Sequence, residues 1–442
     1  MAIVAIAVSP HTQAQVWVNV GSPGFSAGEA LYTYIALDPG GTPYVAYTSG
    51  PLNKATVMKY DGSNWVLLDT LGGESTYTES ITVDTSGVPY VAYMGGDGKA
   101  TVKKYIAGGW LTVGNPGFTS GTADYISLAI DRYGVPCVAF QDYSWARSAT
   151  LMKYNGFGWV TVGIAGFSEV STAYTSLAID RSNTPYVAFS DYNNGRRVTV
   201  MKYDGINWAY VGNPGFSAGR ADFTSIVIDQ NGTPYVAYED YGYGSRATVM
   251  KYNGSSWVVV GKAGFSDGRV LDIALALDNN GTPFVAYRDF GNDSKATVMK
   301  YNGYDWVSIG NPGFSEGSVG GTTIAIDGSG TPYVAYADSV NSWKATVMKP
   351  GSWVGATNLN NPAANSSIYP NPTTGSFTLT LTQTNTPTTI TITNLLGSII
   401  ETRTIEKTQP QNVNFNLHTP PGAYIIKVTT EENTWRQKIE VW

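Results

Sequence analysis

Short apolar runs separated by polar, turn-forming residues recur in a fixed order along most of the chain. Between 176 and 211 the runs are Ser176–Asp180, Pro185–Phe189, Val198–Tyr203 and Trp208–Val211, each bounded by Gly, Asn, Asp or Pro. Runs of this length, rich in Val, Ile, Tyr and Phe, are strand signals, and no 3.6-residue period competes with them. The last run of each unit opens on tryptophan: Trp17, Trp65, Trp110, Trp159, Trp208, Trp257, Trp306 and Trp353, at spacings of 48, 45, 49, 49, 49, 49 and 47 residues.

A repeat of roughly 40–50 residues holding four strands is the pattern of a β-propeller. The first three runs occur seven times and the tryptophan run eight times. One tryptophan strand is therefore surplus, which fits closure of a ring by the N-terminal strand: Trp17 is expected to pair with Lys344–Lys349. The run at Trp353 follows Pro350, which cannot donate to a ladder, and reads as the spare copy. Passing from the outer edge of one blade to the centre of the next crosses roughly 14 Å at ~4.8 Å per strand. The turn 204–207 is too tight for that, whereas 212–222 is long enough. The tryptophan strand is thus outermost and the Ser176–Asp180 strand innermost. The long links share one face with the loops after each second strand; the short turns share the other. The expected fold is all-β, a seven-bladed propeller of four-stranded blades over residues 15–354, followed by a small C-terminal β-sandwich.

Composition narrows the function. Of the 442 residues 14% are charged, with 50 glycines, 30 tyrosines and 12 tryptophans. A net charge of −6 speaks against nucleic acid, which needs a basic face. No apolar run reaches the roughly 18 residues of a membrane span. The single cysteine, Cys137, replaces the aromatic of the other repeats and is expected to be a buried small hydrophobe. Residues 1–14 read as a signal peptide lacking its basic leader, with Thr12-Gln13-Ala14 as cleavage site; the rival reading is an apolar strand packed on the propeller.

Gly24-Phe-Ser-Ala-Gly28 and its copies at 215–219, 264–268 and 313–317 match the nucleophile-elbow pattern. That device needs a strand-to-helix turn and a histidine base. The copies join strands, and the two histidines, His11 and His418, fall outside the repeats. They read as glycine-rich links with phenylalanine tucked between blades. Asp38, Asp84, Asp131, Asp180, Asp229, Asp278 and Asp327 close the innermost strands and are expected to bond local backbone. No cofactor is implied. Histidine and cysteine poverty disfavours zinc and copper, and structural calcium stays open at loops such as Asp191–Gly195.

The candidate ligand site lies on the long-link face. Five blades carry an acid, four of them with an aromatic after it: Asp142-Tyr143, Asp191-Tyr192, Asp240-Tyr241, Asp289-Phe290 and, with serine instead, Asp338-Ser339. A basic residue ends each loop: Arg147, Arg197, Arg246, Lys295 and Lys344. A plain hairpin cap with a surface ion pair explains part of this, though such a pair contributes only about 0–1 kcal/mol. The functional alternative is a ring of equivalent pockets in which these groups hold hydroxyls and Tyr143, Trp145, Tyr192, Tyr241, Tyr243, Phe290 and Trp343 stack on a sugar or an apolar partner.

After Gly351 the period stops. Residues 355–367 form a polar linker, and 368–442 read as alternating strands. Tyr369-Pro370-Asn371-Pro372-x-x-Gly375, Asn394-Leu-Leu-Gly397, Pro421-Gly422-Ala-Tyr424 and the terminal Lys438-Ile-Glu-Val441 carry a resemblance to the type IX secretion C-terminal sorting domain. The match in order and chain-end position is broken slightly by the final Trp442. The resemblance implies a β-sandwich read by the secretion machinery of Bacteroidota-type Gram-negative bacteria, and a secreted or cell-surface protein. It implies nothing about the passenger. The repeats look broadly like lectin propellers, an analogy of fold alone. The function expected is non-catalytic binding of a glycan or surface polymer. A polysaccharide hydrolase or lyase and an adhesive surface protein are the rivals.

Overall fold

The computed structural model of the protein describes residues 16–50, 53–73, 76–351, 367–369, 373–381, 387–394, 398–406, 411–420, 422–429 and 434–441. The expected leader 1–14, Trp353 and nearly all of the linker 355–367 lie outside the described residues. The chain divides into two compact units, one over Gln15–Pro350 and one containing Gly351–Trp442.

In the first unit seven four-stranded antiparallel sheets follow one another. Blade 4 runs from its inner strand Thr172–Ile179 through Pro185–Asp191 and Arg197–Tyr203 to the outer strand Trp208–Tyr210. Blades 1, 2 and 3 begin at Ala30, Tyr77 and Ala123, and blades 5, 6 and 7 at Ala221, Val270 and Val319. Each inner strand packs against the next, and the last against the first, so the ring is closed. Trp17–Asn19 is the outer strand of blade 7, in register Trp17↔Pro350 and Val18↔Lys349. Closure leaves the ring without an open end whose unpaired N–H and C=O groups would recruit another chain.

The inner strands begin earlier than the hydrophobic pattern indicates. In blade 4 the ladder starts at Thr172, and the register shifts between Ala173 and Ser176. The bulge puts Tyr174 at φ 54°, and Tyr32, Tyr125, Phe223 and Asp272 hold the same left-handed conformation in other blades. Such a bulge destroys the two-residue alternation that signals a strand. Non-glycine residues there cost about 1–3 kcal/mol each and persist only where neighbours fix them. Thr175 Oγ1 donates to Tyr125 O of the preceding blade at 2.9 Å, and Thr224 Oγ1 to Tyr174 O. Below the bulge, Ser127, Ser176 and Ser225 Oγ accept backbone N–H groups from the next inner strand at 3.0–3.1 Å.

A second tie runs round the outside. Except after blade 1, a Gly-Phe-Ser or Gly-Phe-Thr link leaves the outer strand and lays its phenylalanine flat on the tryptophan of the following blade: Phe216 on Trp257 at 4.3 Å and Phe167 on Trp208 at 3.7 Å. The same indoles donate Nε1–H to the backbone of the preceding blade, Trp257 to Val211 O at 2.6 Å and Trp208 to Val162 O at 3.0 Å. Trp17, Trp65, Trp159 and Trp306 repeat both contacts. Trp110 is the exception. The link before blade 2 has no phenylalanine, and the Trp110 indole N–H has no partner.

The link serines are structural. Ser217 Oγ accepts from Val198 N at 3.0 Å and donates to Gly219 O at 2.7 Å, a pairing repeated at Ser26, Ser266 and Ser315. The turn aspartates behave as expected: Asp180 Oδ1 accepts from Ser182 N and Thr184 N, both at 2.8 Å. Cys137 is buried, and burial pushes its thiol up to about 12.

The C-terminal unit pairs Ser367–Tyr369, Ser376–Leu381 and Gln411–Asn416 in one sheet, and Ile399–Ile405, Thr388–Asn394, Gly422–Thr429 and Thr434–Val441 in another. Both contribute alternate residues to one core, among them Phe377, Leu379, Phe415, Ile390, Ile426 and Ile439, as a sandwich requires. Of the sorting-motif residues, Gly375 stands at φ 107°, where a Cβ would lie 2.6 Å from Leu417 O, so only glycine fits. Tyr424 is buried with its hydroxyl on Pro420 O at 2.7 Å, and Gly422 opens the same strand. Tyr369 and Lys438 are placed by their backbone in the strands Ser367–Tyr369 and Thr434–Val441; Pro370, Asn371 and Pro372 lie outside the described residues.

Truncating Trp257 to alanine removes a stacked ring, an inter-blade hydrogen bond and a core contact, with an expected cost of about 3–5 kcal/mol. Trp110→Ala lacks the first two and is expected to cost clearly less. Chemical denaturation midpoints of the two variants check the comparison; equal losses would remove the clamp as the cause.

Candidate functional site

The five acidic loops fold alike. Asp142, Asp191, Asp240, Asp289 and Asp338 end their strands in extended conformation and cap a single 3₁₀ turn: Tyr143–Trp145, Tyr192–Asn194, Tyr241–Tyr243, Phe290–Asn292 and Ser339–Asn341. All five carboxylates are at most 4% exposed. Asp191 accepts from Asn193 N at 3.0 Å, Asn194 N at 3.2 Å, Asn194 Nδ2 at 2.8 Å and Thr199 Oγ1 at 2.9 Å. Thr199 in turn accepts from Gly215 N at 2.8 Å, tying the loop to the long link. These aspartates therefore face inward and are taken up by the turn, although Asp240 engages only Oδ1, with Gly242 N at 2.9 Å, and leaves a buried Oδ2 without a partner. As ligand-binding groups they are corrected to scaffold, because a short polar side chain at this position caps the orphan N–H groups of the turn.

Their aromatic neighbours point outward. Exposure runs from 38% for Tyr241 and Trp343, through Tyr143, Phe290, Tyr192 and Tyr243, to 53% for Trp145. The basic residues divide. Arg147 lies 4.8 Å over the Tyr143 ring. Arg197, Arg246, Lys295 and Lys344 stand opposite their loop aspartates in the ladder but form no ion pair with them among the described residues. The guanidiniums that do cover the rings are others: Arg196 over Tyr192 at 5.0 Å, Arg220 over Tyr241 at 4.6 Å, and Arg269 and Arg288 over Phe290 at 5.3 and 5.0 Å.

These arginines are held by acids nearer the axis. Arg196 and Arg220 both pair with Asp222, at 3.0 and 2.5 Å, and Arg269 Nε lies 3.2 Å from Glu239 Oε1. Tyr143 donates its hydroxyl to Asp124 at 2.8 Å. Arg220 and Arg269 share one repeat position, Asp124 and Asp222 another, and Arg196 that of Arg147, but none of these positions keeps its charge through all the blades, and Arg288 and Glu239 stand at one position with opposite charge. The available signal was cross-strand register, which sets Asp222 opposite Glu239.

Further in, the bulged ends of the inner strands line the channel mouth. Tyr125, Tyr174 and Phe223 form a continuous aromatic arc with centroids 4.9 Å apart. Two acids flank the arc, one on the blade before it and one on the blade after it. Glu79 of blade 2 lies near Asp124, and burial is the main cause that lifts its carboxyl from the ordinary 4.5 to about 8, with the Asp124 charge adding to it. Asp272, held by Gly321 N at 3.0 Å, is also raised by burial, with Arg288 working against the shift. The Tyr34 hydroxyl, buried between them, is pushed well above its usual range by burial and then by Glu79 and Asp272. The mouth is thus unsymmetrical: an aromatic arc over blades 3 to 5 is flanked by Glu79 on blade 2 and Asp272 on blade 6. No three His, Cys, Asp or Glu side chains converge as a metal cluster among the described residues.

Residues 367–441 match the secretion system C-terminal sorting domain. The protein carries the sorting domain of type IX export and is secreted or displayed at the cell surface. No curated protein matches the chain by sequence. Among solved structures it is similar to PorZ, an essential bacterial surface component of the type IX secretion system of Porphyromonas gingivalis, at 14% identity and a TM-score of 0.53 over 96% of this chain. The chain spans 60% of that protein's length. A chain of the mitotic checkpoint complex matches 79% of it at 12% identity and TM-score 0.51, over 98% of that chain. A lectin solved with alpha methyl fucoside matches 65% at 16% identity and TM-score 0.47, over 98% of its own chain. At these identities the first two likenesses, with TM-scores above 0.5, bear on the fold alone and agree with the propeller.

Two outcomes follow from the site. Asp191→Ala orphans four donors and is expected to lower stability by about 2 kcal/mol or more, read as a shifted denaturation midpoint. Glu79 favours the folded state while protonated. Its contribution is complete below its ordinary 4.5 and is lost as pH rises through about 8. Melting temperature is expected to fall between pH 5 and 9, and Glu79→Gln to flatten that fall; an unchanged slope in the variant would place the pH dependence elsewhere.

Proposed function

We propose that the protein is an exported, non-catalytic binding propeller whose long-link face recognises glycan through repeated aromatic–guanidinium platforms. The observation that carries this reading is the recurrence of one outward ring under a stacked arginine in four consecutive blades: Tyr143, Tyr192, Tyr241 and Phe290. A flat apolar ring suits the C–H face of a pyranose, and the arginine beside it supplies planar donors to hydroxyls or carboxylates. Each platform alone is weak. Four on one rigid face raise the strength of binding to a repetitive polymer through effective concentration. The scaffold underneath is fixed by the Asp–Thr–Gly hydrogen bonds, so the rings are held without a ligand.

A glycan array probed with the protein, with and without calcium, tests it. Binding is expected for at least one glycan class, and Tyr192→Ala combined with Tyr241→Ala is expected to weaken it about tenfold, at about 0.5–1.5 kcal/mol per ring, without changing the melting temperature. Absence of binding at high protein density would sink the proposal.

The unsymmetrical channel mouth favours a second reading, a polysaccharide-cleaving enzyme using Glu79 as acid and Asp272 as its partner. Its carrying observation is the pair of acids raised beside the Tyr34 hydroxyl. Reducing-end release from a glycan that binds, lost in Glu79→Gln while binding remains, would establish it; binding without release would dismiss it.

A further inference from the structure

The short-turn face carries clefts that the repeats build between blades. The cleft between blades 5 and 6 has a volume of about 570 Å³ and that between blades 4 and 5 about 630 Å³. Both fall in the size range of small-ligand sites. Their linings correspond position by position. In the first, Lys251 and Tyr235 of blade 5 face Asp278 and Lys300 of blade 6. In the second, Lys202 and Tyr186 of blade 4 face Asp229 and Lys251 of blade 5. Lys251 lines both.

The chemistry of each cleft is cationic and hydroxyl-seeking. Lys202, Lys251 and Lys300 form no ion pair among the described residues. Lys251 and Lys202 are instead poised 5.9 Å over Tyr235 and Tyr186. Asp278 and Asp229 spend only Oδ1 on their turns, accepting from Asn280 and Thr282 N and from Asn231 and Thr233 N at 2.8–2.9 Å. Oδ2 of each accepts no hydrogen bond from a described residue. Two ammonium groups, one free carboxylate oxygen and an aromatic wall suit a hydroxylated ring bearing a negative group. A neutral sugar leaves the lysines unanswered. The junction between blades 3 and 4 departs from the pattern. Cys137 replaces the tyrosine, and Lys153 is bound to Asp131 of its own blade at 2.8 Å.

We propose that the short-turn face is a second binding surface, on which the clefts between blades 4 and 5 and between blades 5 and 6 take segments of one acidic polysaccharide, Lys251 serving both. This does not rest on the long-link platforms, and variants on the two faces keep the failures of the two readings apart.

Titration of the full protein with polygalacturonate, dextran sulfate and neutral dextran tests the proposal. Binding is expected for a charged polymer and absent for dextran; the carboxylate and sulfate arms identify the anion. Affinity is expected to drop steeply between about 50 and 500 mM salt, as screening of solvated charges requires. Lys251→Gln is expected to weaken it at least tenfold, with Lys251→Arg restoring most of it, while Lys202→Gln and Lys300→Gln each weaken it less. Lys153→Gln and the Tyr192/Tyr241 double variant are expected to leave it unchanged. Equal binding of dextran, no binding of either charged polymer, or an unaffected Lys251→Gln protein that melts like the parent would overturn the proposal.

Discussion

The structure depends on how one blade holds the next. A four-stranded sheet has two faces to bury and cannot do so alone, so the ring stands or falls on its seven junctions. Here the junctions are fixed at two radii, except that the one before blade 2 lacks the rim contacts. Near the axis, serine and threonine hydroxyls join one inner strand to the next, as Ser176 does with Ile226 N. At the rim, a tryptophan reaches back to the preceding blade's carbonyl and takes the link phenylalanine on its face, as Trp257 does with Val211 and Phe216. The indole suits this place because it combines a large apolar area with one polar donor that must be satisfied when buried. Trp17 makes the same contacts across the closure, so the seam has the construction of the other junctions.

The recurring polar residues serve the same end. Asp191 caps a turn and holds Thr199, and Thr199 holds Gly215 of the link. Ser217 on that link holds Val198. The whole loop side of a blade is one closed hydrogen-bond circuit. Burying so many polar groups is tolerable because most of them meet a partner, Asp240 Oδ2 being an exception. The most repeated residues are the scaffold, and this is why the Gly-x-Ser-x-Gly serines and the loop aspartates, which suggest chemistry by type, are consumed by structure.

That division explains what the sequence disclosed. Strand count, blade order, ring closure by Trp17 and the sorting domain all rest on periodicity or a terminal motif, and periodicity is visible in one chain. The earlier start of the inner strands was hidden because the bulge at Tyr174 breaks alternation. The arginines over the rings were hidden for another reason. Arg197 shares its place opposite the loop aspartate with Arg246, Lys295 and Lys344, whereas the stacking is done one residue earlier, by Arg196 and its counterpart Arg147. A left-handed residue at 196 turns the chain before the strand begins, and no pattern in the sequence marks that turn. The clefts of the opposite face were hidden because their walls come from two blades, about 50 residues apart in the chain.

Specificity in a repeat fold therefore has to be sought where the repeat is broken. Identical blades would offer seven equal platforms and seven equal clefts. This ring is graded instead. Blade 7 replaces the turn aromatic with Ser339, blade 3 locks Lys153 onto Asp131, and blades 5 and 6 gather Asp222, Glu239 and Arg269. Ion pairs of this kind contribute little to stability at a surface, and Glu239 is fully buried, where a carboxylate carries a desolvation cost. Neither the clamp at the rim nor the hydroxyl ladder at the axis requires them. Side chains that the scaffold does not need, clustered on consecutive blades, are better explained by what the surface meets. Blades 4 to 6 carry the stacked arginines on one face and the shared lysine clefts on the other. This is the sector of the ring in which both proposed surfaces have neighbouring sites in line.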